Sequence, residues 1–84
     1  MSHITKQFFE GHEVYDDFIE TTTFLGINMD AWKFADGTEN ILDDVEYLHV
    51  VFEPTDDTQY NLSVVFVNDS GGWQIQEIHN NPLC

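Results

Sequence analysis

The chain has 84 residues, sixteen of them acidic and two basic, for a formal net charge of −14. Both basic residues are lysines, Lys6 and Lys33, and arginine, the usual bidentate reader of phosphate and guanine, does not occur. These numbers exclude a chain that itself binds nucleic acid, nucleotide or an anionic membrane, and they limit the fold to a single small acidic domain over residues 1–84 with a modest core.

Composition nonetheless argues for a folded chain. Hydrophobic residues make up 42%, including seven Phe, three Tyr and two Trp, which a disordered acidic chain would lack. No stretch approaches the roughly 20 apolar residues of a membrane span, and the start of the chain does not read as a signal peptide. The one cysteine, Cys84, is the last residue, so no internal disulfide is expected and a cytoplasmic, reducing setting is.

The first third reads as helix. Val14, Tyr15, Phe18, Ile19, Thr22 and Leu25 recur at helical spacing and form one stripe. Gly26 follows as a left-handed stop, with Ile27 as its apolar contact. Upstream, Ser2 is a candidate N-cap, Ile4 and Phe8 sit one turn apart, and Gly11 leaves residues 3–25 as one helix or as two with a break near it; the break is favoured. A strand at about 28–35 would place Trp32 and Phe34 on one face, with Asp36-Gly37 as the turn after it. Residues 39–46 fit a turn of helix capped by Thr38, or the start of a long strand; the helical turn is favoured. Residues 47–53 read as a strand closed by Pro54 and a turn over 55–58. Tyr60, Leu62, Val64 and Phe66 alternate with Asn61 and Ser63, and residues 68–72 are a strong turn. Trp73 and Ile75 resume the alternation, but Ile78 is out of phase with them, which a bulge or a strand end near Glu77 would explain. Residues 80–84 read as a short tail. The expected fold is α+β: an N-terminal helix, or two, packed on a three- to four-stranded, mainly antiparallel meander.

Catalytic signatures are missing. Gly71-Gly72 is an isolated turn pair, not a phosphate loop, and no nucleophile elbow occurs. His3, His12, His49 and His79 form no metal-ligand spacing; His49, alternating with Tyr47 and Val51, reads as a half-buried sheet residue. An EF-hand beginning at Asp30 fails because Trp32 and Phe34 stand where ligands belong. No enzyme, cofactor or metal centre is expected.

What remains is the placement of the acids. Glu10, Glu13, Asp16, Asp17 and Glu20 share one helix face if the helix runs through them, and no lysine or arginine lies one turn away from the last four. Each unrelieved like-charge contact costs roughly 0.2–0.5 kcal/mol, and solubility needs a net charge of only about 2–8. A second group is Asp36, Glu39, Asp43, Asp44 and Glu46; a third is Glu53, Asp56 and Asp57. In an extended segment Asp44 and Glu46 would project on one side about 6.6 Å apart, close to the spacing of strand phosphates. A solvated helix face is the ordinary reading of such a stripe, and the near absence of positive charge weakens it. A halophilic origin would also give an acidic chain. Two Ala beside seven Phe, six Ile and six Asn point instead to AT-rich coding, where lysine is normally common.

In size and charge the chain is similar to phage-encoded DNA-mimic inhibitors and to bacterial toxin-immunity proteins, a likeness of class that no motif carries. It implies an inhibitor or immunity-type protein that covers the basic nucleic-acid-binding surface of a partner: a nuclease, a CRISPR or restriction complex, a DNA-repair enzyme or a nucleoid protein. The expected partner-binding residues are Glu13, Asp16, Asp17, Glu20, Asp36, Glu39, Asp43, Asp44 and Glu46. The alternative is a small intracellular adaptor or regulatory subunit that binds a protein through an exposed aromatic patch of Trp32, Phe34 or Trp73.

Overall fold

A computed structural model describes residues 2–55 and 60–82, the side chains of 80–82 excepted. The element order is β1 (Ser2–His3), α1 (Lys6–Glu10), α2 (Val14–Leu25), a 3-10 turn (Met29–Ala31), β2 (Trp32–Leu42), β3 (Val45–Pro54), β4 (Tyr60–Asp69) and β5 (Gly72–Pro82). The strands pair antiparallel in the order β1-β2-β3-β4-β5, so the sheet is a meander extended at one edge by the N-terminus. Two helices lie on one of its faces, giving the α+β architecture expected, with five strands where three to four were anticipated.

The break at Gly11 separates the helices. Gly11 ends α1, its N–H bonding back to the Gln7 carbonyl. At the far end of α2, Gly26 adopts φ 78°, and Ile27 N–H reaches the Thr22 carbonyl at 2.8 Å while Ile27 packs on the core. Ser2 is not a cap. β1 draws it into the sheet opposite Glu39, so the chain first turns into helix at Thr5, whose Oγ1 accepts from Phe8 N–H at 3.1 Å. That later start turns Phe9 inward, not Phe8: Phe9 is 1% exposed and Phe8 44%. The α2 stripe buries Val14, Phe18 and Thr22 and half-buries Tyr15 and Ile19, while Leu25 is exposed beyond the edge of the core.

The core lies between the helices and the inward faces of the central strands. Leu48, Val50 and Phe52 of β3 and Leu62, Val64 and Phe66 of β4 meet Phe9 and Phe18. Phe9 packs against Phe18, Phe52 and Phe66 at ring centroid separations of 5.4, 6.0 and 5.9 Å, and Phe18 stacks on Phe52 at 5.4 Å. The phase slip in β5 is a bulge: Phe66 faces Ile75 while Val65 faces Glu77, leaving Gln76 as the extra residue, so Ile75 and Ile78 both face the helices.

Three expectations about the β2 and β5 regions are corrected. The strand placed at 28–35 starts only at Trp32 and runs on to Leu42, and Asp36-Gly37 is not a turn. A register shift between Phe34 and Asp36 lets the strand continue, and Gly37 is required because a Cβ there would lie 2.7 Å from Ile4 Cγ1. Residues 39–46 contain no helical turn. Leu42 and Val45 face each other, and Asp43-Asp44 form the hairpin tip with φ 53° and 65°. Cross-strand pairing along ten register positions outweighs the local preference of this segment. The tail assigned to 80–84 is strand as far as Pro82. The turn expected over 55–58 lies outside the described residues after Thr55, as do Asp56 and Asp57 of the third acidic group.

Candidate functional site

The antiparallel register sorts the acids by face. Residues paired across the sheet share a face, so those level with Leu48, Val50 and Phe52 point toward the helices and their neighbours point away. Glu39 faces Leu48, and Ile41 faces Glu46, which places both carboxylates on the helix side at the hairpin end. Asp43 and Asp44 occupy the tip beyond them. Because Asp44 is in the left-handed turn, it and Glu46 do not form the extended pair with phosphate-like spacing expected from the sequence.

Asp36 is on the other face, level with Val51. There His3 Nδ1 donates to Asp36 Oδ1 at 3.1 Å and Gly37 N–H donates to the same oxygen at 2.9 Å. The His3 bond first, then the Gly37 bond, hold the Asp36 carboxyl below its ordinary range. The structure therefore separates Asp36 from the other expected partner-binding residues. That outer sheet face also carries His49, whose Nε2 shares a 2.6 Å hydrogen bond with Ser63 Oγ, and His79, 3.3 Å from Glu77. His49 is exposed, not half-buried as expected, on the sheet face opposite Leu48 and Val50.

Asp16, Asp17 and Glu20 are exposed on α2, Asp17 and Glu20 bordering a groove shared with Trp73, Gln74 and Ile75 of β5, and Glu13 stands at the N-cap position. Glu10 belongs to α1, so the stripe is not continuous through it. At about 100° per residue, Glu13, Asp17, Glu20 and Phe24 fall within one narrow arc, and Asp16 lies beside it. Phe24 is 88% exposed and ends this acidic ridge. Sequence reading missed it, although its helical phase, seven residues after Asp17 and out of step with Phe18, marks it as outward.

His12 joins the ridge to the hairpin end. Its Nδ1 accepts from Val14 N–H at 3.2 Å, doing for α2 what the Glu13 side chain does not, and its ring meets Trp73 edge-on at 5.0 Å. Beneath it is a concavity of about 390 Å³ lined by Glu39, Ile41, Glu46, Leu48 and Trp73 among others. Asn68 Nδ2 donates to Glu46 Oε1 at 3.1 Å and orients that carboxylate.

Among the described residues the ion pairs are His3–Asp36, Lys33–Glu53 at 3.5 Å, and His79–Glu77. None involves Glu13, Asp16, Asp17, Glu20, Glu39, Asp43, Asp44 or Glu46. No group of three or more His, Cys, Asp or Glu is placed to hold a metal ion among the described residues. No helix among them is long and apolar enough to cross a membrane. Trp32, Phe34 and Trp73 are all half-buried against the core. No family model, curated protein or solved structure matches the chain.

Proposed function

We propose that the protein is a non-enzymatic acidic inhibitor that covers the basic nucleic-acid-binding surface of a partner protein and does not itself bind nucleic acid. One observation carries the reading: the acids of the α2 ridge and of the hairpin end are exposed, and the described residues supply them with no cation. A surface of this charge speeds encounter with a basic partner by long-range steering and competes with the phosphates that partner would bind. A nuclease, a CRISPR or restriction complex, a DNA-repair enzyme or a nucleoid protein fits that description.

Exposed Phe24 supports an apolar contribution to the same interface. A single aromatic anchor beside charged groups is a common form of binding hot spot. This is the part of the adaptor reading the fold favours, since the three rings that reading relied on are packed against the core.

The test uses a nuclease-treated lysate at low salt. The quadruple variant Glu13→Gln, Asp16→Asn, Asp17→Asn, Glu20→Gln is compared with the parent and with a hairpin-end variant, Glu39→Gln, Asp43→Asn, Asp44→Asn, Glu46→Gln. The parent is expected to capture nucleic-acid-binding proteins that duplex DNA displaces. The ridge variant should capture less, with much of the loss in association rate. Capture that both variants retain in full, or that DNA does not displace, would overturn the charge mechanism.

A further inference from the structure

The concavity under His12 has a chemistry distinct from that of the open ridge. Its exposed apolar side is Ile41, 69% exposed, above the buried Leu48. One wall is the Trp73 indole, fixed by the edge-on His12 ring. Its acidic groups are the Glu39 and Glu46 carboxylates, and Ser2, Asn40 and Tyr47 also line it. They stand diagonally across the β2–β3 ladder, which puts their Cβ atoms about 7–8 Å apart or slightly less. Asn68 holds the nearer oxygen of Glu46. Glu46, Asn68 and Trp73 lie level on adjacent strands, so the indole and the carboxylates face one space.

We infer that this cleft is a receptor for one arginine side chain. A guanidinium is planar, stacks on an indole, and can bond two carboxylates on opposite edges, while its methylene stem can lie along exposed Ile41. A lysine ammonium can satisfy one carboxylate and the ring but not the bridging geometry. A bare metal ion is a poorer occupant, because no group of three or more His, Cys, Asp or Glu able to hold one occurs among the described residues. The inference rests on the reading that the partner is basic, and it assigns one partner arginine to this cleft and leaves the remaining basic residues to the ridge.

The test is a titration of the unmutated protein, followed by ¹H–¹⁵N NMR at constant ionic strength. The probes are the peptide acetyl-Gly-Arg-Gly-amide, its lysine counterpart and hexa-arginine. The Trp73 indole N–H, identified by its loss in Trp73→Phe, and the Ile41 amide should shift saturably with the arginine peptide. Binding should be at least about threefold weaker for the lysine peptide. In Glu39→Gln/Glu46→Gln, whose altered side chains are exposed, affinity should fall about tenfold or more. In Asp16→Asn it should stay within about twofold, since that exposed carboxylate lines neither the cleft nor the groove beside Trp73. Shifts confined to the α2 ridge, with the Trp73 indole unmoved, would overturn the cleft and leave the acidic-inhibitor reading standing. No response anywhere to hexa-arginine would overturn both. Equal affinity of Glu39→Gln/Glu46→Gln and the parent would also overturn the cleft.

Discussion

Phe9 is buried at the centre of the aromatic core, whereas its neighbour Phe8 is 44% exposed and meets only the His12 ring among the aromatic contacts of the described residues. Phe9 touches rings from α2, β2, β3 and β4, so it ties both layers together. Phe9→Ala should cost about 3–5 kcal/mol by denaturant unfolding, a large share of the stability of so small a domain. Phe8→Ala should cost about 1 kcal/mol or less. Similar losses for the two would mean that the helix register is wrong. Asp36 makes a pH prediction at the same scale. Its carboxyl titrates lower in the folded chain than the ordinary aspartate value of about 3.9. Its contribution is therefore present above that value and lost as pH falls through the lowered folded one. The thermal midpoint of the parent should exceed that of Asp36→Asn near neutral pH, and the gap should close in strong acid. A gap that widens on acidification would reverse the sign.

Among the elements, α2 sets two electrostatic terms against each other. Like-charge contacts among Glu13, Asp16, Asp17 and Glu20 at one-turn spacing cost about 0.2–0.5 kcal/mol each. Yet α2 begins at Val14, so Asp16 and Asp17 lie in its first turn, where the helix dipole favours each by about 0.3–1 kcal/mol. The terms nearly cancel, and the ridge variant should unfold within about 1 kcal/mol of the parent. A larger loss would show that the acids are structural. The β2–β3 hairpin is less balanced. Asp43 and Asp44 both carry positive φ, a conformation that glycine adopts without a Cβ penalty. Asp44→Gly should therefore stabilise the chain by about 0.5–1 kcal/mol in chemical denaturation, and a destabilised variant would argue against this turn.

For the molecule as a whole, charge and size belong together. A net charge of −14 is spread over a body of 39 × 27 × 22 Å. At about 0.01 M salt the Debye length is about 30 Å, so nearly every acid senses the others; at about 0.15 M it is about 8 Å and only neighbours interact. The thermal midpoint should rise between these conditions. A midpoint unchanged or lowered by salt would show that self-repulsion is not a significant term. The same long-range field is what would steer the protein to a basic surface, so salt should stabilise the free protein and slow its association together.

Local patterning determined the helical first third, the Gly26 stop, the β4 alternation and the β5 phase slip, because each depends on residues a few positions apart. Charge determined the class of partner proposed, since it is a sum over residues and needs no coordinates. Pairing between distant segments decided the rest. Ser2 became a strand residue because Glu39 lies opposite it, and residues 39–46 became a hairpin because β3 offers a partner along their whole length. The same pairing put Asp36 on the face away from Glu39 and Glu46, and brought Trp73, thirty-four positions from Glu39 in the chain, into one cleft with it. Which face a strand residue takes is set by register across the sheet, and register is a property of two segments together that neither displays alone.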